Sequence, residues 1–444
     1  MKAVAAVGAV AAFWLAVWVF VAALVAQPLI LPGPGAVVVA LLRLVCDAGT
    51  WAILAGSGAR ILGGLALAAV CGGLLAGISS RSRAFARLVA PALSFVKATP
   101  VACVVVLLLI WLGSARVSIA AVFLMALPGV YFSLVEGLTQ ADKPLEQMFR
   151  LHGVRGWRLF CAHIWREVLP FVLSYARAVI GMSWKAGVAA ELIGMAVGTV
   201  GERIYQAKLL IETADLLAWT VLVVMASWAC ERVLVWLLRA SGPAAWRAAV
   251  LSHGRGLRGR AGAADVAELA LAVGDRAPWA PALDGLVLNV PAGGRICVMG
   301  TSGVGKSTLL ALAAGECAPC SMVFQDVRLV EGASALDNVL VCADARVDAS
   351  SAAALLRLLV PGVDVHARVA ELSGGQRRRV EIARALLCPG GAVILDEPFT
   401  GLDTAARDAC AEVVLDLLVG RMLLLATHDA VDAQALNISD IITL

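Results

Sequence analysis

Long apolar stretches dominate the first half of the chain, whereas short apolar runs separated by polar segments dominate the second half. A stretch of about 20 apolar residues is long enough to cross a lipid bilayer as a helix. From residue 265 onward, short apolar runs alternate with helical patterns, which is typical of an α/β domain with a buried sheet. Six membrane-spanning helices are predicted in the first half, over residues 4–26, 61–78, 91–112, 117–138, 168–190 and 216–238.

Composition supports this division of the chain. Hydrophobic residues make up 61% of the 444 residues and charged residues only 15%, which excludes a disordered chain and an ordinary soluble protein. Residues 1–240 carry 19 basic and 10 acidic side chains, and residues 261–444 carry 13 and 22. We therefore predict an all-α transmembrane domain at 1–240, a basic cytoplasmic linker at 241–264 and an α/β domain at 265–444.

The positive charges indicate the orientation in the bilayer. Lys and Arg residues concentrate in the second and fourth loops between the predicted spans and in the segment after the sixth span. Because cytoplasmic loops carry the excess of these residues, the N-terminus and the α/β domain are both expected in the cytoplasm. The basic excess is thus interpreted as a topology signal, and no nucleic-acid partner is expected.

The strongest chemical signal is the run GTSGVGKST at residues 300–308, which follows a strand-like segment and precedes a helical one. Glycines in this context let backbone N–H groups surround phosphates at a helix N-terminus. The lysine is expected to reach the outer phosphates of ATP, and the serine after it to bind Mg²⁺. The candidate nucleotide contacts are Gly300, Ser302, Gly303, Gly305, Lys306, Ser307 and Thr308.

A second signal is the apolar run AVIL at residues 392–395, which ends in Asp396 and Glu397. A carboxylate at the end of a buried strand is suited to Mg²⁺, and its neighbour to activating a water molecule. We therefore assign Asp396 to metal binding and Glu397 to general-base catalysis.

The run LSGGQ at residues 372–376 carries a family resemblance: residues 283–444 closely resemble the ATP-binding cassette (ABC) proteins. The resemblance implies that Gln325 contacts Mg²⁺ and the membrane domain, and that His428 supports the γ-phosphate and the attacking water. It also implies that the LSGGQ signature faces the phosphate loop of a second copy, so that a homodimer forms two composite sites. The nucleotide contacts added by resemblance are Ser373, Gly374, Gly375, Gln376 and Asp403.

This cassette departs from the family between Lys306 and Gln325, which lie only 19 residues apart, far fewer than is usual. A shortened β-subdomain is therefore expected. Cys317 and Cys320 occupy the shortened stretch, and their spacing leaves open a redox pair, half of a metal site or plain packing. Trp279 is the nearest candidate for stacking on adenine.

The loop at 146–170 contains Gly153 and a Leu-Pro pair ending at Pro170, and the runs KATP, WLG, AE and GTVG begin at residues 97, 111, 190 and 198. By these motifs the first half resembles binding-protein-dependent importer permeases of the nitrate/sulfonate/taurine type, in which such a loop forms a helix–Gly–helix unit that docks on the ATPase. The resemblance implies import of a small, often anionic solute delivered by a periplasmic binding protein, across a bacterial inner membrane. Arg177 and Lys185 either attract that solute or pair with Glu191 or a lipid headgroup. An exporter half-transporter and a non-transporting regulatory ATPase remain the alternatives.

Overall fold

A computed structural model describes residues 2–253, 268–273, 283–418 and 420–444 of the chain. Its internal contacts divide it into two units. The membrane unit comprises residues 1–141 and 167–241, and the cassette unit comprises residues 142–166 and 242–444. The division differs from the predicted domains, because the loop at 142–166 belongs with the second unit.

The membrane unit is helical. Its helices are α1 (Lys2–Val25), α2 (Pro34–Cys46), α3 (Ala48–Ser79), α4 (Arg83–Ala98), α5 (Val101–Leu112), α6 (Ser114–Gln140), most of α9 (Trp165–Gly194), α10 (Val200–Leu209) and the first part of α11 (Thr213–Leu251). Helices α3 and α6 pack closely. At Gly64 of α3 there is no space for a side chain, since an added Cβ would lie 2.5 Å from the carbonyl oxygen of Ile119 in α6. Small residues permit such close approach of membrane helices. Ile61, Val122 and Ile180 lie in the apolar core of this unit.

Within the described residues, four helical segments are long and apolar enough to span a membrane: Gly8–Val25, α3, α6 and α11. The predicted span at 91–112 is not one straight helix, since α4 and α5 meet at an angle of 102°. Pro100 is the cause: it disfavours a helical conformation at Thr99, which is extended. Counting the bent pair as one span gives five. Helix α9 has 30 residues but carries several charges, so a count of six stays a prediction.

Helix α11 continues to Leu251, so the predicted flexible linker does not begin at residue 241. Trp246, Ala249 and Val250 recur at helical spacing and are buried in the core of the cassette unit, which explains why the helix persists. Residues 254–264, the rest of the predicted linker, lie outside the described residues.

The cassette unit is built on a parallel five-stranded sheet in the order β4-β5-β6-β3-β7, with a separate antiparallel pair β1-β2. The pair β1-β2 precedes the phosphate loop in the chain, and the shortened stretch between α12 and β4 adds no strand to it within the described residues. Strands β5 and β6 are buried throughout, as strands covered on both faces must be. The strands are β1 (Glu268–Ala272), β2 (Val287–Pro291), β3 (Arg295–Met299), β4 (Ser321–Val323), β5 (Ala392–Asp396), β6 (Met422–Thr427) and β7 (Asp440–Thr443).

Helices surround this sheet, and the side chains between them and the strands form one apolar core. In open parallel sheets, ligands bind beyond the carboxyl ends of the strands. The helices of the cassette unit are α7 (Lys143–Leu151), α8 (Gly156–Leu159), a π-helical turn (Phe160–Ile164), α12 (Lys306–Glu316), α13 (Ala335–Leu340), α14 (Ala349–Leu359), a 3-10 turn (Val369–Glu371), α15 (Gly374–Leu387), α16 (Thr404–Leu418) and α17 (Ala430–Ala435).

Candidate nucleotide site

The phosphate loop joins the end of β3 to the start of α12. Gly303 and Gly305 adopt φ angles of +84° and +115°, which side-chain-bearing residues rarely tolerate. The ammonium group of Lys306 donates to the carbonyl oxygens of Gly300 (2.7 Å) and Thr301 (3.1 Å). It therefore lies inside the loop, where the phosphates of ATP are expected to bind. Ser302 and Ser307 are exposed at this loop, and Thr308 is half-buried in the first turn of α12.

Asp396 ends β5 and is almost completely buried, at 3% exposure. Burial raises the pKa of its carboxyl group, and a hydrogen bond with Ser307 opposes that shift. The atom Oδ1 of Asp396 is buried without a hydrogen-bond partner. A carboxylate oxygen with free coordination capacity beside a hydroxyl oxygen suits a hard divalent cation. Asp396 and Ser307 therefore fit Mg²⁺.

Glu397 and His428 are brought together by two neighbouring strands. Glu397 follows β5 and His428 follows β6, and these strands pair in parallel, so their carboxyl ends share one edge of the sheet. Nδ1 of His428 lies 3.2 Å from Oε1 of Glu397, and the hydroxyl of Thr400 lies 3.5 Å from Oε2. Glu397 has a φ of +46°, which is unusual for a glutamate. Such strain occurs where a side chain must be held in one direction for function.

The signature residues begin helix α15. Ser373 accepts a hydrogen bond from the backbone N–H of Gln376, and the side chain of Gln376 accepts one from Ser373 N–H, which forms a capping box. Gly374 and Gly375 form the first turn, and Ser373 and Gly374 are exposed. Asp403 caps α16 by accepting from Ala406 N–H at 2.7 Å.

Comparisons with known proteins agree with this geometry. Residues 69–247 match the family described as "Binding-protein-dependent transport system inner membrane component", and residues 318–400 match the family described as "ABC transporter". The chain is 38% identical over 182 residues to the taurine import ATP-binding protein TauB of Chromobacterium violaceum, covering 34% of this chain and 68% of that protein. It is 35% identical over 182 residues to the aliphatic sulfonates import ATP-binding protein SsuB 1 of Rhizobium johnstonii, covering 36% and 66%.

The chain belongs to the ABC transporter family. It joins a permease-type membrane region to an ABC ATPase, so the ABC transporter carries both the permease and the ATP hydrolase in one chain. The alignments span about two thirds of the length of these relatives. A dimeric structure of the ATP-binding cassette MJ0796 bound to ADP and Pi aligns with a TM-score of 0.34 and 24% identity, over 37% of this chain and 86% of that chain.

In this ABC transporter, the predicted docking loop is an integral part of the cassette unit. Helix α7 and the short helix α8 are joined by a turn at Gly153, whose φ is +79°, so this loop is a helix–Gly–helix unit. The carbonyl oxygen of Leu151 accepts from Cys320 N–H at 3.0 Å, immediately before β4. Strand β4 lies at the edge of the sheet, and this loop covers that edge. An uncovered edge strand could pair with a strand of another chain.

His152 of the same loop was not recognised as important from the sequence. It is fully buried, and its Nε2 lies 3.0 Å from the backbone nitrogen and 3.1 Å from the carbonyl oxygen of Met322 in β4. Burial, aided by the charge of Arg384, lowers the pKa of His152 to about 3. The imidazole is therefore neutral and helps to hold the loop on the sheet.

Gln325, placed two residues after β4, is exposed. The residues that hold the backbone around Gln325 were not recognised from the sequence: Arg378, Glu381 and Arg384 of α15 are buried and contact that backbone. They recur every three residues on one helix, and this spacing of charges is the signal by which they are recognisable.

Cys317 and Cys320 are buried thiols rather than a reactive pair. Burial raises the pKa of Cys317 to about 11 and that of Cys320 to about 12, and the thiol of Cys320 donates to the carbonyl oxygen of Ala314 at 3.6 Å. Among the described residues, no group of three or more His, Cys, Asp or Glu side chains is arranged to hold a metal ion. A packing role is the interpretation that fits. Trp279, the adenine candidate, lies outside the described residues.

The charged residues that the sequence singled out in the membrane unit, Arg177, Lys185 and Glu191, lie in different surroundings. Glu191 is fully buried, accepts from Ser57 Oγ at 2.8 Å and pairs with Arg60 at 3.1 Å. Arg177 and Lys185 are exposed on α9. Glu191 thus has Arg60 as its partner, instead of the two residues that the sequence offered for it.

Proposed function

We propose that this ABC transporter imports a small solute with an anionic group, of the sulfonate or taurine class, with ATP hydrolysis as the energy source. The observation that carries the proposal is the grouping of Lys306, Asp396, Glu397 and His428 at one edge of a parallel sheet, in a chain that also contains the permease. The functions of the relatives, import of taurine and of aliphatic sulfonates, point to the solute class.

In the proposed reaction, Glu397 accepts a proton from the water molecule that attacks the γ-phosphorus, while the bond to the leaving ADP oxygen breaks. His428 holds the carboxylate of Glu397 in place and donates toward the γ-phosphate. Lys306 and the loop N–H groups neutralise the charge of the phosphates. Asp396, Ser307 and Gln325 would hold Mg²⁺, which neutralises further phosphate charge when bound.

The second copy of the chain is proposed to complete each site. One chain carries one phosphate loop and one signature, so a homodimer has two sites in which Ser373, Gly374, Gly375, Gln376 and Asp403 face the phosphate loop of the other copy. Ser373 and Gly374 lie exposed at the N-terminal end of the 14-residue helix α15, where backbone N–H groups favour an anion.

Mixed dimers test this arrangement. Lys306→Ala and Ser373→Arg should each abolish nucleotide trapping when present in both copies. A mixed dimer of the two variants has one doubly damaged site and one intact site, so ATP with a phosphate analogue should trap in one site per dimer. Trapping in neither site, while wild type traps normally, would contradict independent composite sites, and trapping by a verified monomer would contradict the dimer.

The solute is proposed to meet Arg177 and Lys185. Eight residues on a helix correspond to about 80° of rotation, so both cations lie on one side of α9. Exposed cations within a membrane helix require water, a counter-charge or a partner. A periplasmic binding protein would deliver the anion, and the chain would lie in the bacterial inner membrane with its cassette in the cytoplasm.

Reconstitution tests the transport proposal as a whole. The full chain is inserted into liposomes and supplied with Mg-ATP on the cassette side. On the opposite side it receives labelled taurine or ethanesulfonate together with a cognate binding protein. We expect uptake that requires both ATP and the binding protein. ATP-dependent release of the label in the opposite direction would support an exporter, and ATP hydrolysis without movement of any labelled anion would contradict the proposed solute class.

A further inference from the structure

Helix α15 carries a cluster of three buried charges, which we name the Glu381 clamp: Arg378, Glu381 and Arg384. Glu381 pairs with Arg378 at 3.0 Å and with Arg384 at 3.2 Å. The side chains of Glu381 and Arg384 are at most 1% exposed. Buried ion pairs contribute little net stability, because desolvation of the charges offsets their attraction. The clamp therefore needs an explanation other than stability.

The clamp binds the backbone on both sides of Gln325. Arg378 donates to the carbonyl oxygens of Phe324 and Gln325. Glu381 accepts from the backbone N–H of Arg328 at 3.0 Å, and Arg384 donates to the carbonyl oxygen of Arg328. The segment 324–328 is thus held at both ends by one charged group of α15, while the side chain of Gln325 itself stays exposed.

The side chain of Arg328 extends the connection to the docking loop. Its guanidinium lies 3.6 Å from the ring centroid of Phe324. Its Nη1 donates to the carbonyl oxygen of Pro144 at 3.2 Å and to the side-chain oxygen of Gln147 at 3.4 Å, both in α7. One residue therefore contacts α7 through its side chain and the clamp through its backbone.

We propose that Glu381, acting through Arg378 and Arg384, is a positioning residue for Gln325, and that Arg328 makes this position depend on α7. The proposal rests on the role of Gln325 in the proposed function. The charge of Glu381 is the essential feature, because a neutral side chain there leaves two buried guanidinium groups without a counter-charge. The guanidinium groups would then break their hydrogen bonds with the backbone carbonyl oxygens and turn toward solvent.

Glu381→Gln tests the proposal in the full chain, since glutamine has the same shape without the charge. Hydrogen exchange should quicken about tenfold or more at the Arg328 amide, because its hydrogen bond to a charged carboxylate is replaced by a weaker one to a neutral amide oxygen. The kcat for ATP should fall, while KM stays close to wild type because the phosphate loop is untouched. Glu412→Gln is the matched control: it is the same substitution at an exposed glutamate of α16. Wild-type exchange at 324–328 in Glu381→Gln would overturn the proposal.

A double variant separates positioning from general damage. If Glu381 acts through Gln325, adding Glu381→Gln to Gln325→Ala should lower kcat little further, whereas independent damage would multiply the two losses. If Gln325→Ala alone leaves hydrolysis unchanged, the role proposed for Gln325 is wrong, and hydrogen exchange still decides whether Glu381 positions the segment.

A second variant decides the matter if Glu381→Gln does not fold. Arg378→Lys keeps the positive charge, but a single ammonium group lacks the planar fork that reaches two carbonyl oxygens. Faster hydrogen exchange at 324–328 and a lower kcat are again expected, and both changes should be smaller than in Glu381→Gln. The absence of both effects in a folded Arg378→Lys protein would overturn the proposal.

Discussion

Glu397 of the cassette unit lies beside His428, and Glu191 of the membrane unit lies beside Arg60. The two glutamates nevertheless differ in their surroundings. Glu397 follows the end of a strand with a strained backbone; its side chain is 12% exposed, and that of its partner His428 is 60% exposed. Glu191 is sealed from solvent and bound by Ser57, Arg60 and the backbone N–H of Gly201. A carboxylate that solvent and substrate can approach is suited to chemistry, whereas one whose oxygens are already bound holds helices together.

Histidines within the cassette unit repeat the contrast. His428 contacts Glu397 at the open edge of the sheet, whereas His152 is buried against β4. For these glutamates and histidines, the difference between accessible and buried side chains therefore predicts which substitutions change activity and which change stability.

The largest effect is expected at Glu397. Glu397→Gln removes the proposed base but keeps the shape, so ATP hydrolysis should fall by about 10²–10⁴-fold. Binding of ATP and the melting temperature should stay near wild type. Steady-state hydrolysis and equilibrium nucleotide binding of the purified chain measure this, with the exposed Glu412→Gln as a control. Near-normal hydrolysis would remove Glu397 from its assigned role.

A large loss of stability without a chemical role is expected at Glu191. Glu191→Ala leaves the Arg60 guanidinium and the Ser57 hydroxyl without their acceptor, and breaking a buried pair in this way costs about 3–5 kcal/mol. We expect a lower melting temperature or aggregation in detergent, measured by scanning fluorimetry and size-exclusion chromatography. Glu136→Ala, at an exposed site on α6, should change neither. A stable Glu191→Ala protein that has lost only transport would place Glu191 in the solute pathway and break the contrast.

A smaller, pH-dependent effect is expected at His152. Its pKa is about 3 in the folded state, below the usual histidine value of 6.5, so the unfolded state binds the proton more readily. The free energy of unfolding should therefore decrease as the pH falls below 6.5, by about 1.4 kcal/mol per pH unit from this residue. Above pH 6.5 the contribution is constant.

Thermal unfolding between pH 7.5 and 5 measures this dependence. His152→Gln should flatten it, and the exposed His366→Gln should leave it as in wild type. An unchanged slope in His152→Gln would mean that His152 gains its proton in the folded state, contrary to its burial.

The smallest effect is expected at Lys185. Lys185→Met removes one of the two exposed cations on α9, Arg177 and Lys185. The taurine concentration for half-maximal uptake should therefore rise several-fold, while the melting temperature stays unchanged. Lys208→Met, a substitution on α10, serves as a control. Loss of folding in Lys185→Met, or unchanged uptake, would show that exposure on α9 does not indicate contact with the solute.

The sequence by itself determined the class of the protein and predicted the residues of the candidate nucleotide site. Lys306, Asp396 and His428 each lie at or after the end of a short apolar strand, and parallel strands bring their carboxyl ends to one edge whatever the length of the chain between them. The short interval between Lys306 and Gln325 likewise predicted a shortened β-subdomain, and the described residues hold no strand between α12 and β4. These inferences succeed because they depend on local patterns whose chemistry is contained in a few neighbouring residues.

Only the tertiary structure decided the partners of buried polar groups and the limits of the units. Glu191 pairs with Arg60, 131 residues away, and His152 contacts Met322, 170 residues away. The loop at 142–166 lies between two membrane helices in the sequence but packs in the core of the cassette unit. A buried charge or imidazole must find a partner, but that partner is chosen by the packing of distant segments, which no local pattern specifies.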